Sequence, residues 1–168
     1  MELNRNYFEI FGLPVDYRVD LTLLAERYLD VQKQVHPDRY ADGTQAERRA
    51  AMQAATLVNT ANLTLQDTLK RAIYMLQLKE VSLEENPELP PAFLMEQIEL
   101  REELEAAAAS KSSQCLAAFR QRLAKAMTGL EDRFAEALDI SLEKAEATVY
   151  ELQFLTKLKQ EAEQLDKD

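Results

Sequence analysis

Residues 20–47 read DLTLLAERYLDVQKQVHPDRYADGTQAE, and this stretch predicts two helices joined by a short polar turn. Asp20 is a typical N-cap residue. Behind it, apolar residues recur at the spacing of one helix face: Leu24, Tyr28, Val31 and Val35. Pro37 disfavours helical geometry at His36, so the first helix is expected to end near Val35. Because the proline also fixes its own backbone, the helix should end in a stiff polar tip.

The second helix follows a segment, His36 to Gly43, that is predicted to be a polar loop. Thr44 and Glu47 have the spacing of a capping box, which marks the start of a helix. Apolar residues predict that this helix is long and runs through Met52, Ala55, Val58, Ala61 and Leu65. Because the loop is short, the two long helices must lie antiparallel. Shorter helices are predicted at residues 6–11 and 69–78.

Residues 80–91, EVSLEENPELPP, interrupt the helical periodicity with three prolines and four glutamates. This composition predicts a linker between an N-terminal domain, residues 1–79, and a C-terminal domain, residues 92–168. Three further helical stretches follow the linker, near residues 92–109, 113–139 and 141–166. They predict an antiparallel three-helix bundle, so the whole fold is expected to be all-α.

Composition excludes several functional classes. The net charge of −10 argues against a broad phosphate-binding surface, and all of the acidic excess falls in residues 80–168. Met1 to Asp20 contain no signal-peptide core, and no apolar run approaches the ~20 residues that a membrane helix needs. The single Cys115 cannot form an internal disulfide, which is typical of a reducing compartment. Its neighbours Leu116 and Phe119 favour a packed core position for it.

The tripeptide His36-Pro37-Asp38 allows three interpretations. It can be a helix stop with a polar turn, an acid–base pair, or a recognition element. The sequence has no nucleophile near the tripeptide and no glycine-rich phosphate loop. It therefore gives little support to the interpretation as an enzyme.

The context of the tripeptide resembles the J domain of DnaJ-type co-chaperones. The similar segments are YFEIFGLP at residues 7–14, VHPDRY at 35–40 and LKRAIY at 69–74. In that family the loop and the basic side of the preceding helix dock on the ATPase domain of an HSP70-class chaperone and promote its ATP hydrolysis. The resemblance implies this role for a set of six residues: His36, Pro37, Asp38, Arg27, Lys33 and Arg39. Because Glu26 and Asp30 make the helix less basic, a dedicated chaperone partner is expected.

The first helix after the linker has two apolar faces. At ~100° per residue, one face carries Phe93, Leu100, Leu104 and Ala107 and is the expected core face. The opposite face carries Leu94, Met95, Ile98 and Glu102, flanked by Glu99 and Arg101. A second apolar face is expected to pack against another surface. That surface belongs either to the N-terminal bundle of the same chain or to another protein.

The last helix repeats this feature on a smaller scale. Its inward stripe is predicted to consist of Val149, Leu152, Leu155 and Leu158. Phe154 lies ~100° from the centre of this stripe and is expected to be an exposed binding anchor.

The segments FLMEQIELREEL at 93–104 and ELQFLTKL at 151–158, together with the J-domain motifs, resemble the HscB family of J-type co-chaperones in iron–sulfur cluster assembly. The resemblance implies that the three-helix bundle holds the cluster scaffold protein IscU and presents it to the specialised chaperone HscA. The positions that match the scaffold-binding surface are Leu94, Met95, Ile98, Glu99, Arg101, Glu102 and Phe154. A different client, or a role in helical dimerisation, remains the alternative.

The resemblance implies a protein that stimulates catalysis in its partner and is itself no enzyme. With one Cys and one His, the chain lacks a zinc or iron–sulfur ligand set, so no cofactor is expected. Mitochondrial relatives carry a cysteine-rich N-terminal module, whereas this chain has no CxxC motif. A bacterial-type, cytoplasmic member is therefore expected.

Overall fold

The computed structural model describes residues 4–167, and within that range it is all-helical. The α-helices are α1 Tyr7–Ile10, α2 Leu21–Val35, α3 Gln45–Gln66, α4 Thr68–Leu78, α5 Pro91–Ala109, α6 Ser113–Ala137 and α7 Leu142–Leu165. A short 3₁₀ helix, Pro37–Tyr40, lies between α2 and α3. Each α-helix agrees with a predicted one to within two residues at its ends, whereas the 3₁₀ helix was not predicted.

The chain divides into two compact units between Tyr74 and Met75. The first unit contains α1, α2, α3 and the first part of α4, and the second contains α5, α6 and α7. Irregular backbone separates α4 from α5, from about residue 79 to residue 90. The exact domain limits drawn from the sequence stay a prediction.

Predicted caps fix the ends of the long helix pair in the first unit. The Asp20 side chain accepts a hydrogen bond of 3.1 Å from the backbone N–H of Leu23 at the start of α2. Thr44 and Glu47 form the full capping box at the start of α3, with bonds of 3.1 and 3.0 Å. The two helices pack against each other, and they bury Leu24, Val35, Ala51, Val58, Ala61 and Leu65.

The predicted course of α3 through Met52 is confirmed, but the prediction for residues 36–43 was wrong in detail. Residues 36–43 do not form an open loop, because the 3₁₀ turn begins directly at Pro37. A proline suits the first position of a helix, since its fixed φ is already helical and the missing N–H would have no intrahelical partner there. Met52 is 62% exposed, whereas Ala51 is buried. Met52 lies about 120° from Val58 around α3, which places it outside the buried stripe.

A buried arginine ties α3 and α4 to the segment before α2. Arg71 is only 4% exposed, and its Nε donates to the Leu65 carbonyl at 2.7 Å. Its Nη1 donates to the Tyr17 carbonyl at 2.8 Å, and the guanidinium lies 5.5 Å from the centre of the Tyr17 ring. The Tyr17 hydroxyl in turn donates to the Thr68 carbonyl at 3.1 Å. This arrangement anchors the segment that leads into the helix pair.

The second unit is an α5–α6–α7 bundle in which α6 and α7 make the most extensive pairing. Ser112 and Ser141 cap α6 and α7 through hydrogen bonds to the N–H groups of Cys115 and Lys144. The predicted inward stripe of α7 is confirmed, since all four members are buried: Val149, Leu152, Leu155 and Leu158. On α5, Phe93, Leu100 and Leu104 are buried as predicted.

The core position predicted for Cys115 was wrong, because its thiol is exposed. Leu116 and Phe119 do belong to the buried stripe of α6. Cys115 lies about 85° from the centre of that stripe and in the first turn of the helix. Hydrogen bonds from the Ser112 and Ser110 side chains lower the pKa of the Cys115 thiol.

No helix in the described part of the chain combines the length and the apolar character needed to cross a bilayer. Residues 4–167 also contain no group of His, Cys, Asp and Glu side chains arranged to hold a metal ion.

We predict that Arg71→Met lowers the free energy of unfolding by about 3 kcal/mol, because the similar-sized side chain leaves two buried carbonyl groups without their donor. Thermal and urea unfolding of the whole chain measure this loss. Lys70→Met, at the exposed neighbouring position, is the matched control and should change stability by at most about 0.5 kcal/mol. Equal effects of the two substitutions would contradict the anchoring role.

Candidate functional site

The His36-Pro37-Asp38 segment is held in a defined conformation at the end of α2. His36 has extended backbone geometry, with φ −59° and ψ 131°, and is the C-cap of α2. The backbone N–H of Asp38 donates to His36 Nδ1 at 3.2 Å. Since a backbone N–H can only donate, Nδ1 acts as the acceptor in this contact. The Asp38 carboxylate oxygen lies 3.6 Å from the same nitrogen, which is too far for a hydrogen bond.

Both polar side chains of this tip point to solvent. The His36 side chain is 50% exposed and that of Asp38 is 93% exposed. Such exposed groups have none of the enclosure that an acid–base catalytic pair uses. The tip is therefore suited to contact another molecule.

The basic residues predicted to flank the tip lie in two different places. Arg39 Nη1 donates to the backbone carbonyl of Lys33 at 3.4 Å, which holds the Arg39 guanidinium group against the last turn of α2. Arg27 lies almost two turns earlier and about 120° away from Lys33 around the helix. It lies beside Gly12, whose φ is +60° and where a Cβ atom would come within 3.0 Å of the guanidinium. The structure thus brings Lys33 and Arg39 to the tip and leaves Arg27 beside the α1–α2 connection.

The outer face of α5 exposes three large apolar side chains. Leu94 is 45% exposed, Met95 61% and Ile98 59%. We call these three residues the α5 patch. The buried residues Phe93 and Leu100 occupy the other face of the same helix, 5–7% exposed. The two-faced character predicted from the sequence is confirmed.

The rim of the α5 patch is charged. Glu99 and Glu102 are exposed, as predicted for residues beside a surface patch. Arg101 is half-exposed, and its Nη1 donates to Glu161 Oε2 on α7 at 3.0 Å. The rim therefore combines free carboxylates with one arginine that is held by the neighbouring helix.

The exposure predicted for Phe154 was wrong. Its side chain is half-buried, because its ring packs edge-on against Phe93 with the ring centroids 6.0 Å apart and an interplanar angle of 87°. Phe93 lies one residue before Leu94. Phe154 therefore borders the α5 patch on the α7 side and presents only part of its ring.

Two residues of this surface were missed by the sequence reasoning. Phe93 was assigned to the core alone, although it also supports Phe154, and Glu161 was not considered. The seven-residue spacing from Phe154 to Glu161 puts both side chains on one face of α7. The same spacing separates Leu94 from Arg101 on α5, but only the structure shows that these two lines of side chains lie side by side.

The surface beside Phe93 and Phe154 is acidic. Burial raises the pKa of the Glu151 carboxyl, and Arg133, 3.1 Å away, opposes this shift. Glu96 on α5 adds a like charge that raises the same pKa further. These carboxylates extend the negative character of the rim and favour a partner with basic groups.

The chain is similar over nearly its whole length to a solved structure, the chaperone HscB from Vibrio cholerae. The two share 36% sequence identity with a TM-score of 0.88, and the match covers 97% of this chain and 98% of the other. The chain belongs to the HscB family. The human co-chaperone protein HscB has the same fold, with 25% identity, a TM-score of 0.90 and coverage of 98% and 83%. The family model described as the HSCB C-terminal oligomerisation domain matches residues 89–163.

Membership of the HscB family makes the chain a co-chaperone with a role in iron–sulfur cluster assembly. It also accounts for the architecture, in which a J domain precedes a C-terminal helical bundle. The two surfaces described above belong to different units of this architecture. The tip lies in the first unit and the α5 patch in the second.

We predict that Leu94→Ala, Met95→Ala and Ile98→Ala each change the free energy of unfolding by at most about 0.5 kcal/mol, because their side chains contribute little to the core. Leu100→Ala, on the buried face of the same helix, should cost about 3 kcal/mol through lost burial and a cavity. Urea unfolding of the four variants measures the difference. A loss at any patch position as large as that at Leu100 would show that the patch belongs to the core.

Proposed function

We propose that this HscB-family chain binds the scaffold protein IscU through the α5 patch, binds the chaperone HscA through the His36-Pro37-Asp38 tip, and stimulates ATP hydrolysis by HscA. The observation that carries this proposal is the exposure of Leu94, Met95 and Ile98 on a helix whose opposite face already fills the core. Such an arrangement leaves three apolar side chains with about half of their surface exposed, which contribute little to the core of the second unit.

The energetics of the α5 patch support a protein partner. Burying a fully exposed large apolar side chain contributes roughly 1.5–3 kcal/mol, and these three still expose 45–61% of their surface, so together they can supply the core of a specific contact. Met95 adds a flexible side chain that adapts to the shape of a partner. The carboxylates of Glu99 and Glu102 surround this core and favour basic groups on the scaffold.

The geometry of the tip supports docking on a chaperone. Pro37 restricts the backbone and the N–H of Asp38 is bound to His36, so little conformational freedom is lost when the tip is bound. Lys33 in the last turn of α2 and Arg39 in the 3₁₀ turn give this end of the helix two basic residues, which favours an acidic surface on HscA. Hydrolysis takes place in the chaperone, and this chain supplies only the contact.

Two binding surfaces on one chain explain how the chain works without chemistry of its own. Tethering the scaffold to the molecule that engages the chaperone raises its effective concentration there. HscA would then hydrolyse ATP when its client is near. We propose that this coupling is the contribution of the chain to cluster assembly.

We predict that Asp38→Asn reduces stimulation of the HscA ATPase to the level of HscA alone, because the amide removes the charge of the most exposed group on the tip. A steady-state ATPase assay with increasing concentrations of the variant measures this effect. Binding of IscU to the same variant, measured by calorimetry, should equal that of the wild type.

Asp42→Asn is the matched control for Asp38→Asn, since it removes an exposed carboxylate a few residues after the tip. It should leave ATPase stimulation intact. Simultaneous loss of stimulation and of scaffold binding in Asp38→Asn would contradict the division of labour between two surfaces.

We predict that the triple substitution of the α5 patch, Leu94→Ala, Met95→Ala and Ile98→Ala, weakens IscU binding by about 100-fold, because it removes the apolar centre of the contact. Calorimetry or surface plasmon resonance measures this. Met52→Ala is the matched control, since Met52 is 62% exposed but lies in the first unit. Unchanged affinity in the triple variant would overturn the assignment of the patch to the scaffold.

The name of the matching family model raises self-association as the second candidate for the α5 patch. Charge argues against it, since two copies would bring the carboxylates of Glu99 and Glu102 into proximity at a contact of like charges. Light scattering at the protein concentrations of the binding experiment separates the two. A wild-type dimer that the triple substitution dissociates would favour self-association.

A further inference from the structure

The α5 patch is bordered along α7 by two contacts of different chemistry. At the N-terminal end of α5, the Phe93 ring packs edge-on against Phe154. Farther along the helix, Arg101 Nη1 donates to Glu161 Oε2 at 3.0 Å. The two contacts are eight residues apart on α5 and seven apart on α7, so two turns of each helix separate them. The α5 patch lies between these two contacts.

The contact between Arg101 and Glu161 is too exposed to matter much for stability. The two side chains are 44% and 36% exposed, and ion pairs of this kind contribute little to folding. Its effect on geometry is larger. An arginine side chain is long and has many rotamers, and the bond to α7 restricts where its guanidinium group can lie.

Arg101 has competing carboxylates on its own helix. Glu105 lies four residues later on the same face of α5 and is the carboxylate that Arg101 could reach. Without a partner on α7, the guanidinium group would be free to turn towards Glu105. The bond to Glu161 occupies one of the five N–H donors of the guanidinium group, and its exposed part retains others for a second acceptor.

We propose that Glu161 is a positioning residue of the scaffold-binding surface, which holds Arg101 ready to bind a carboxylate on the scaffold. This inference rests on the proposed function, since it concerns the same surface. The rim of the α5 patch then carries charges of both signs. The Arg101 cation lies at the α7 border, and the carboxylates of Glu99 and Glu102 accept hydrogen bonds from basic groups. A scaffold surface with one acid and neighbouring bases fits this pattern.

The test is a double-mutant cycle on IscU binding with Glu161→Gln, Arg101→Ala and the two together. We expect Glu161→Gln to weaken affinity about threefold, mainly through faster dissociation, since a mobile Arg101 side chain must then be fixed on binding. In the Arg101→Ala background the same substitution should have no effect, because Glu161 acts only through Arg101. The unfolding midpoint should not change in any of the three.

Asp166→Asn is the matched control. It removes a 2.9 Å ion pair between Arg120 and Asp166, the C-cap of α7, away from the patch. It should leave the affinity for IscU unchanged. A weakening by Glu161→Gln that persists without Arg101, or no weakening at all, would overturn the positioning role. Failure of the wild-type chain to bind IscU would instead overturn the proposed function, and it is recognised before any variant is made.

Discussion

The α5 patch depends on the orientation of α5 about its own axis, which decides which side of the helix faces the core. Phe93, Leu100 and Leu104 fall within a narrow arc of this helix and are buried against α6 and α7. Once this arc is fixed, the positions of Leu94, Met95 and Ile98 follow, because ~100° per residue puts them on the far side. Core packing thus determines which apolar side chains remain exposed. The same packing sets Phe154 against Phe93 and Arg101 against Glu161.

The N-terminal unit depends on a comparable local constraint. Pro37 ends α2 and begins the 3₁₀ turn, so the backbone changes direction within a single residue. The bond from the Asp38 N–H to His36 Nδ1 then fixes the histidine ring while the carboxylate of Asp38 remains exposed. Arg71 stabilises the unit from within, at a site remote in sequence from this turn. Recognition and stability are carried by different residues.

Much of this could be predicted from the sequence, because the decisive signals are local. The caps at Asp20 and Thr44 and the stop at Pro37 act within one helical turn, and they place α2 and α3 correctly. The two faces of α5 follow from periodicity alone. The exposure of Leu94, Met95 and Ile98 in the structure agrees with that reading.

The misjudged positions are those where exposure depends on a neighbour distant in sequence. Phe154 is half-buried because Phe93 covers its edge, and no pattern within α7 contains that information. Cys115 is exposed because it lies off the stripe that Leu116 and Phe119 occupy, and the packing of α6 against α5 and α7 decides which residues at its start are covered. Glu161 becomes notable only when Arg101 is seen beside it. Pairing between helices, unlike periodicity within them, had to come from the structure.

The most direct test of two separate surfaces is NMR mapping on the ¹⁵N-labelled full chain. Addition of unlabelled IscU should shift or broaden amide signals of α5 near residues 94–102 and of α7 near Phe154, and leave those of residues 36–40 unchanged. Addition of HscA should affect residues 36–40 and spare the α5 signals. If IscU instead perturbed the tip and left the outer face of α5 unaffected, the account would be contradicted.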